Sequence, residues 1–230
     1  MTMIEQHVSA VQARIRLACQ THGRAPGSVR LLAVSKTFGP EALQAAYACG
    51  QRAFGENYIQ EALGKMQALH PLAIEWHCIG PVQSNKTRQV AEHFDWVQSV
   101  DRLKIAQRLS EQRPAGLPPL QVCIQVNVDG GATKSGVPPE QTLTLAQGIA
   151  ALPRLQLRGL MCIPEPAPDF EASCAVLSRA RALFDDLNQA GFALDTLSMG
   201  MSTDLEAAVA SGSTMLRVGS AIFGARAYPV

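Results

Sequence analysis

The sequence has almost no net charge, few aromatic residues and no long apolar run. Lys and Arg number 20 against 19 Asp and Glu, leaving a formal charge of +1. That balance excludes the basic footprint of a nucleic-acid binder and the polybasic segment that docks on a membrane. No apolar stretch approaches the length of a membrane span. The opening residues, Met1-Thr2-Met3-Ile4-Glu5, lack a basic stretch followed by an apolar one, which excludes a signal peptide of the usual form. The cysteines Cys19, Cys49, Cys78, Cys123, Cys162 and Cys174 include no CxxC pair, and no His stands at a zinc-finger distance from them. Reduced structural thiols in a cytoplasmic protein are the expectation, with no metal site. No low-complexity linker or charge block divides the 230 residues, so residues 1–230 are expected to form a single domain.

What recurs is a short β-branched run, a turn, then a helical pattern, which points to a parallel sheet with crossover helices. Residues 2–21 read as a leading helix with a Thr2/Glu5 capping box and Gly23 just past its end. The candidate strands are Leu31–Lys36, Ala53–Tyr58, Glu75–Gly80, Trp96–Asp101, Gln121–Val128, Leu157–Ile163, Thr196–Met201 and Met215–Gly219. Between them, Pro40 suits the first turn of a helix and Gly50 its end. Ser84, Asp101 and Asp169 are placed to open further helices, and Thr203 with Glu206 reads as a second capping box closed by Gly212. Eight β-α repeats after an extra N-terminal helix predict an α/β protein, a single (β/α)8 TIM barrel. The alternative, a doubly wound open sheet, usually carries GxGxxG after its first strand, and Lys36-Thr37-Phe38-Gly39-Pro40 is not that.

In such a barrel the chemistry lies at the C-terminal strand ends. Lys36 ends the first strand, and period-2 alternation puts it on the face of Leu32 and Val34. Loss of hydration at an apolar mouth lowers an amine's pKa, and the neutral amine captures carbonyls. The plainer alternative is a lysine that snorkels to solvent. Ser202-Thr203-Asp204 and Arg217-Val218-Gly219-Ser220 follow or occupy the last two strands, where barrels commonly bind phosphate. Free backbone N–H groups, two hydroxyls and a glycine without Cβ suit an anion, although a plain helix cap and a packing glycine would leave the same pattern. Arg217 points with Gly219 into the barrel. It is either ion-paired, to Glu56 or Asp101, or donates to a ligand. His77 lies within an apolar strand, where a core role competes with a site role. Lys134 reads as surface, and Gln83–Arg88 as a polar helix start facing either mouth or solvent.

Taken together, these residues resemble the pyridoxal phosphate homeostasis protein family, a stand-alone barrel similar to the N-terminal domain of alanine racemase (fold type III of the pyridoxal 5′-phosphate, PLP, proteins). The stretches that carry the resemblance are Leu31–Thr37, Phe54–Tyr58 with Gln60-Glu61, Trp76–Gly80 through Gln83–Lys86, Leu157–Met161, Leu197–Ser202 and Leu216–Ser220 through Ile222–Arg226. Val82 and Cys162 depart from it, where leucine and alanine are usual. So does the sparsely acidic loop Asp129-Gly130-Gly131-Ala132.

The resemblance implies PLP held as a Schiff base on Lys36, a phosphate cup of Ser202, Thr203, Gly219 and Ser220, and Arg217 facing the pyridine nitrogen. It also implies Asn57 near the ring and His77 at the same mouth. It implies a role in vitamin B6 and amino-acid homeostasis, with amino acids or PLP-dependent apoenzymes as partners, in a monomer or weak dimer. An Arg at the ring nitrogen keeps it unprotonated and makes a poor electron sink. Racemisation needs a base on each face of the substrate. In alanine racemase the second base comes with a C-terminal domain that would not fit before Val230. A PLP carrier or regulator is therefore the leading expectation. A weak racemase using Tyr58 or His77, and a cofactor-free Schiff-base aldolase acting on a phosphorylated substrate, are the alternatives. Whether a second PLP site lies near Lys134 or Lys86 stays open.

Overall fold

The computed structural model describes residues 2–131 and 135–224. Among these, eight parallel strands close into a barrel in chain order. They are β1 (Arg30–Val34), β2 (Ala53–Glu56), β3 (Glu75–Cys78), β4 (Trp96–Val100), β5 (Leu120–Gln125), β6 (Leu155–Met161), β7 (Thr196–Ser198) and β8 (Met215–Val218). Closure comes from β1 against β8, with Leu32 opposite Arg217 and Ala33 opposite Val218. The helices are α1 (Met3–Thr21), α2 (Pro40–Ala48), α3 (Ile59–Ala68), α4 (Thr87–His93), α5 (Leu103–Gln112), α6 (Thr142–Ala150), α7 (Phe170–Gln189), α8 (Leu205–Ala210) and α9 (Ser220–Phe223). The closed (β/α)8 barrel expected from the β-α repeat is the observed architecture. No helix is long and apolar enough to cross a membrane among the described residues.

Side-chain alternation sorts the core into two compartments. Ala33, Phe54, Val97, Leu197 and Leu216 face the helix layer and join Leu43, Val90, Leu109, Ile149 and Leu177 in one large cluster. Leu32, Val34, Ala53, Ile79 and Met215 form a smaller cluster of their own, and so do Trp96, Cys123 and Met161. Each fully buried Leu, Ile or Phe contributes about 1.5–3 kcal/mol relative to exposure. All six cysteines are unpaired, and burial pushes the thiols of Cys78, Cys123 and Cys162 up to about 12.

Several helix starts differ from expectation. The Thr2/Glu5 capping box is present, Asp169 caps α7 through Ala172 N–H, and Pro40 opens α2. Helix α4, however, starts at Thr87, because Ser84–Lys86 form a turn whose Ser84 carbonyl accepts from Thr87 Oγ1 at 3.0 Å. Helix α5 starts at Leu103, and Asp101 lies beside Arg102 at 3.8 Å instead of capping. Thr203 and Glu206 make no capping box: α8 begins at Leu205, and Glu206 is held by Arg14 of α1 at 2.8 Å. The strands also end earlier than the apolar runs do. Of the residues just past the strand ends, Lys36, Asn57, Ile79, Ile163, Met201 and Gly219 line the mouth.

At Gly159 of β6 a Cβ would lie 1.6 Å from the Thr196 carbonyl oxygen, a backbone atom of the next strand. Gly159→Ala is therefore expected to lower the free energy of unfolding by about 3 kcal/mol or more through overpacking. A matching fall in the urea midpoint at unchanged slope is the check.

Candidate functional site

A cavity of about 490 Å3 opens at the C-terminal strand ends. Val34, Phe38, Ile79, Ile163 and Met201 give it apolar walls, and Lys36, Asn57, Ser202, Thr203, Arg217, Gly219 and Ser220 give it polar groups. Seven of the eight residues singled out from the sequence thus meet in one place. A larger hollow of about 660 Å3 lies at the other end, between α1 and the starts of β1 and β2, and no lysine lines it. Barrel chemistry belongs to the C-terminal end.

Lys36 lies two residues past Val34, the inward-facing last residue of β1. The next residue, Thr37, has φ +71°, the left-handed region that a β-branched residue rarely adopts. Such strain persists where surroundings over-determine it. Thr37 N–H donates to Glu61 Oε1 at 2.6 Å. Lys65 Nζ, four residues on in α3, bonds Glu61 Oε1 at 2.5 Å, Glu56 Oε1 at 2.7 Å and the Ser35 carbonyl at 2.8 Å. Ser35 Oγ in turn donates to Glu56 Oε1 at 2.5 Å. Glu56 and Lys65 are almost wholly buried, at 0% and 4% exposed. Burial pushes the Glu56 carboxyl up, against the pull of Lys65. This clamp, between the barrel wall and α3, grips the backbone on both sides of Lys36.

Around the cavity, Ser220 Oγ and Ser202 Oγ stand 3.3 Å apart, one on each side of the cup. The Ser202 carbonyl accepts from the Arg14 guanidinium at 3.3 and 3.4 Å, which anchors the loop after β7. At Gly219 a Cβ would lie 3.1 Å from the Val34 carbonyl oxygen, so this glycine lets β8 pass close to β1 just below Lys36. Asn57 Oδ1 is buried with no hydrogen-bond partner.

Arg217 is 4% exposed, yet pairs with neither Glu56 nor Asp101. Glu56 is taken by Lys65 and Asp101 lies beside Arg102. Its Nη1 donates to Ser198 Oγ at 2.8 Å and its Nη2 to the Cys162 carbonyl at 2.7 Å. A guanidinium has five N–H donors, so donors remain for a ligand.

His77 does not join the cavity. Glu75 and His77 of β3 face inward with Ile79 just past its end, and Ile79 takes the mouth layer. His77 sits one layer lower, fully buried and stacked on Trp96 with ring centroids 5.1 Å apart. Its Nε2 lies 2.7 Å from Glu75 Oε1, at the opposite end of the barrel. Burial pushes the imidazole down, against the pull of the Glu75 carboxylate. Burial raises the Glu75 carboxyl, but the hydrogen bond and charge of His77, with those of Arg30, outweigh it and hold the group at about 2. Tyr58, 58% exposed, also stands outside the cavity lining. Lys86 is half-buried at the start of α4 and does not border the cavity. Lys134 lies outside the described residues.

The Lys65 clamp escaped sequence reading, although Glu61 and Lys65 at i,i+4 spacing directly after β2 were its visible trace. No group of three or more His, Cys, Asp or Glu is arranged to hold a metal among the described residues.

A closed parallel barrel with a lysine after its first strand and a hydroxyl-lined cup between its last two has the alanine-racemase-like architecture. The family model "Alanine racemase, N-terminal domain" matches residues 6–227. The chain is 60% identical over 228 residues to the pyridoxal phosphate homeostasis protein of Pseudomonas aeruginosa, covering 99% of this chain and 98% of that one. It is 48% identical over 231 residues to the protein of that name from Escherichia coli K12, covering 99% of each. The chain belongs to the pyridoxal phosphate homeostasis protein family. Among solved structures, PipY of Synechococcus elongatus, described with PLP bound, matches with a TM-score of 0.85 at 36% identity, over 96% of this chain and 100% of that one. Alanine racemase from Corynebacterium glutamicum shares the fold, with a TM-score of 0.69 at 18% identity, over 94% of this chain and 61% of that one.

Two outcomes follow from these contacts. Lys65→Ala is expected to cost about 3–5 kcal/mol of stability, because Glu56 is left buried without its cation, and Glu56→Gln/Lys65→Met is expected to recover most of it. Equilibrium unfolding of the two variants beside wild type is the measurement. The contribution of Glu75, whose carboxyl is held at about 2 against an ordinary 4.5, is complete above pH 4.5 and fades as pH falls toward about 2. Glu75→Gln should therefore flatten the acid limb of the stability profile, read by urea unfolding across that range.

Proposed function

We propose that this chain holds PLP in the cavity at the mouth of the barrel, with Lys36 as the covalent anchor, and serves intracellular PLP and amino-acid homeostasis. The carrying observation is that one cavity brings a strand-end lysine together with the unpartnered buried Asn57 Oδ1 and with Arg217, whose two protein hydrogen bonds leave N–H donors over. Both fit a polar aromatic ligand. The Ser202 and Ser220 hydroxyls, with Thr203 beside them, suit its phosphate, and Gly219 keeps the wall thin there. With PLP bound, Arg217 would donate to the ring nitrogen and Asn57 would hold the side of the ring. PLP, when bound, supplies a reactive carbonyl and an electron-withdrawing ring. The apolar wall of Val34, Ile79 and Ile163 excludes water from that carbonyl and from Lys36.

The homeostasis role is that of the family, whose members from P. aeruginosa and E. coli carry it in their names. A carrier or regulator is favoured over a racemase because Tyr58 and His77, the two candidates for a second base, both lie outside the cavity lining. Delivery of PLP to apoenzymes or reaction with free amino acids, action as one domain, a cytoplasmic setting and a monomer or weak dimer complete the reading. Six unpaired cysteines support the reducing compartment. The large apolar side chains that remain exposed, such as Leu17, Leu117, Leu143 and Phe170, belong to separate elements.

Purified wild type given PLP should turn yellow, with a visible band that borohydride bleaches, while Lys36→Ala should show none. A colourless wild type would overturn the reading. Rapid racemisation of alanine by the pure protein would overturn its carrier part.

A further inference from the structure

Arg217 is a buried cation that makes no salt bridge among the described residues, and such a charge is costly unless compensated. The Asp204 charge favours it from the loop after β7, and a chain of hydrogen bonds leads from it to a second carboxylate at the far end of the barrel. Ser198 Oγ, which accepts from Arg217 Nη1, donates to Gln98 Oε1 at 2.7 Å. Gln98 Nε2 lies 2.9 Å from His77 Nδ1, and His77 Nε2 lies 2.7 Å from Glu75 Oε1. Glu75 meets Arg30 at 2.9 Å on the outer surface. Ser198, Gln98 and His77 are all fully buried.

The chemistry of each group sets the direction of each link. An ionised carboxylate only accepts, so His77 Nε2 carries the hydrogen, and in the neutral imidazole that burial favours Nδ1 is then the acceptor. Nδ1 then requires the amide nitrogen of Gln98, whose second hydrogen is directed at Met215 Sδ, 3.1 Å away. The amide oxygen is left for Ser198, whose own oxygen accepts from Arg217. All four hydrogen bonds therefore run the same way, from guanidinium to carboxylate, through β8, β7, β4 and β3. Aligned hydrogen bonds polarise one another in a low-dielectric interior. Trp96, stacked at 13° on the imidazole, holds the ring that turns the chain toward Glu75.

We propose that Ser198, Gln98 and His77 are positioning residues, a polarised relay that ties Arg217 to the Glu75 carboxylate and so fixes how Arg217 presents its remaining donors to the ligand in the cavity. This rests on the reading of that cavity as the PLP site. The residue placed at the mouth by resemblance, His77, thus acts on the ligand through Arg217 from below. A carboxylate near the opposite surface becomes part of the binding machinery.

The test titrates Ser198→Ala, Gln98→Leu and Glu75→Gln with PLP beside wild type and Arg217→Gln, and records the visible absorption maximum of each complex. Arg181→Gln, which breaks the 2.7 Å pair with Asp185 away from the relay, is the control. Ser198→Ala and Gln98→Leu are expected to bind PLP about tenfold more weakly, equivalent to about 1.4 kcal/mol. Their absorption maxima should move in the direction that Arg217→Gln moves it, by less. Glu75→Gln should weaken binding by a smaller factor, above that of Arg181→Gln. Packing alone would leave the band unmoved. Relay variants with wild-type affinity and an unshifted band would overturn the proposal. Should Gln98→Leu fail to fold, Glu75→Gln decides by the same two readouts, since its partly exposed side chain stands at the surface end of the relay. A wild type that takes up no PLP is a distinct result and overturns both the cofactor reading and the relay.

Discussion

Leu32 of β1 lies opposite Arg217 of β8, and Ala33 opposite Val218. This pairing turns a run of β-α units into a closed surface, and the rest of the molecule depends on it. The lysine lies near position 30 of the chain and the cup near position 200–220, so no local structure could join them. Closure places them a strand apart. It also sets a tight tolerance at the seam, where Gly219 passes the Val34 carbonyl with no room for a side chain in ordinary contact. The cavity exists because this seam is closed and because residues just past the strand ends line the mouth.

Around that seam the protein holds charge where it is expensive to hold it. Outside the wall, Lys65 and Glu56 are buried together and share partners with Ser35, Glu61 and the strained Thr37. Inside the wall, Arg217 is buried with no salt bridge among the described residues. A single-minded design for stability would replace such groups by apolar ones, since buried ion pairs often contribute little net stability. Their positions suggest a different service. One fixes the backbone that carries Lys36, and the other offers hydrogen-bond donors to whatever enters the cavity. Both are organised by hydrogen bonds that leave each charge few alternative orientations, which is how a site becomes pre-organised.

Much of this was legible in the residues themselves. The alternation of apolar strands and helices announced the barrel, because burial on both faces demands continuous apolar runs and parallel connection demands crossover helices. Lys36 was visible as a lone charge on the Leu32–Val34 face. The motifs around Arg217 and Ser202 were visible through their order along the chain. Helix starts were less so: Thr203 with Glu206 matched the letters of a capping box, but Arg14 offers Glu206 a full charge pair that outcompetes a backbone N–H. His77, placed at the mouth by resemblance, lies deeper: its setting in an apolar strand had left a core role open, and two residues of depth in a strand are the difference between mouth and floor.

The sequence by itself determined the class of fold and the polar residues that gather at its mouth, because period, polarity and residue type are local properties. Only the tertiary structure decided which charges partner which. Glu56 belongs to Lys65 and not to Arg217; Arg217 reaches Glu75 only through Ser198, Gln98 and His77. Those choices depend on strand stagger and on which helix lies over which gap. A hydrogen bond is decided within a few tenths of an ångström, a distance that no pattern of letters records.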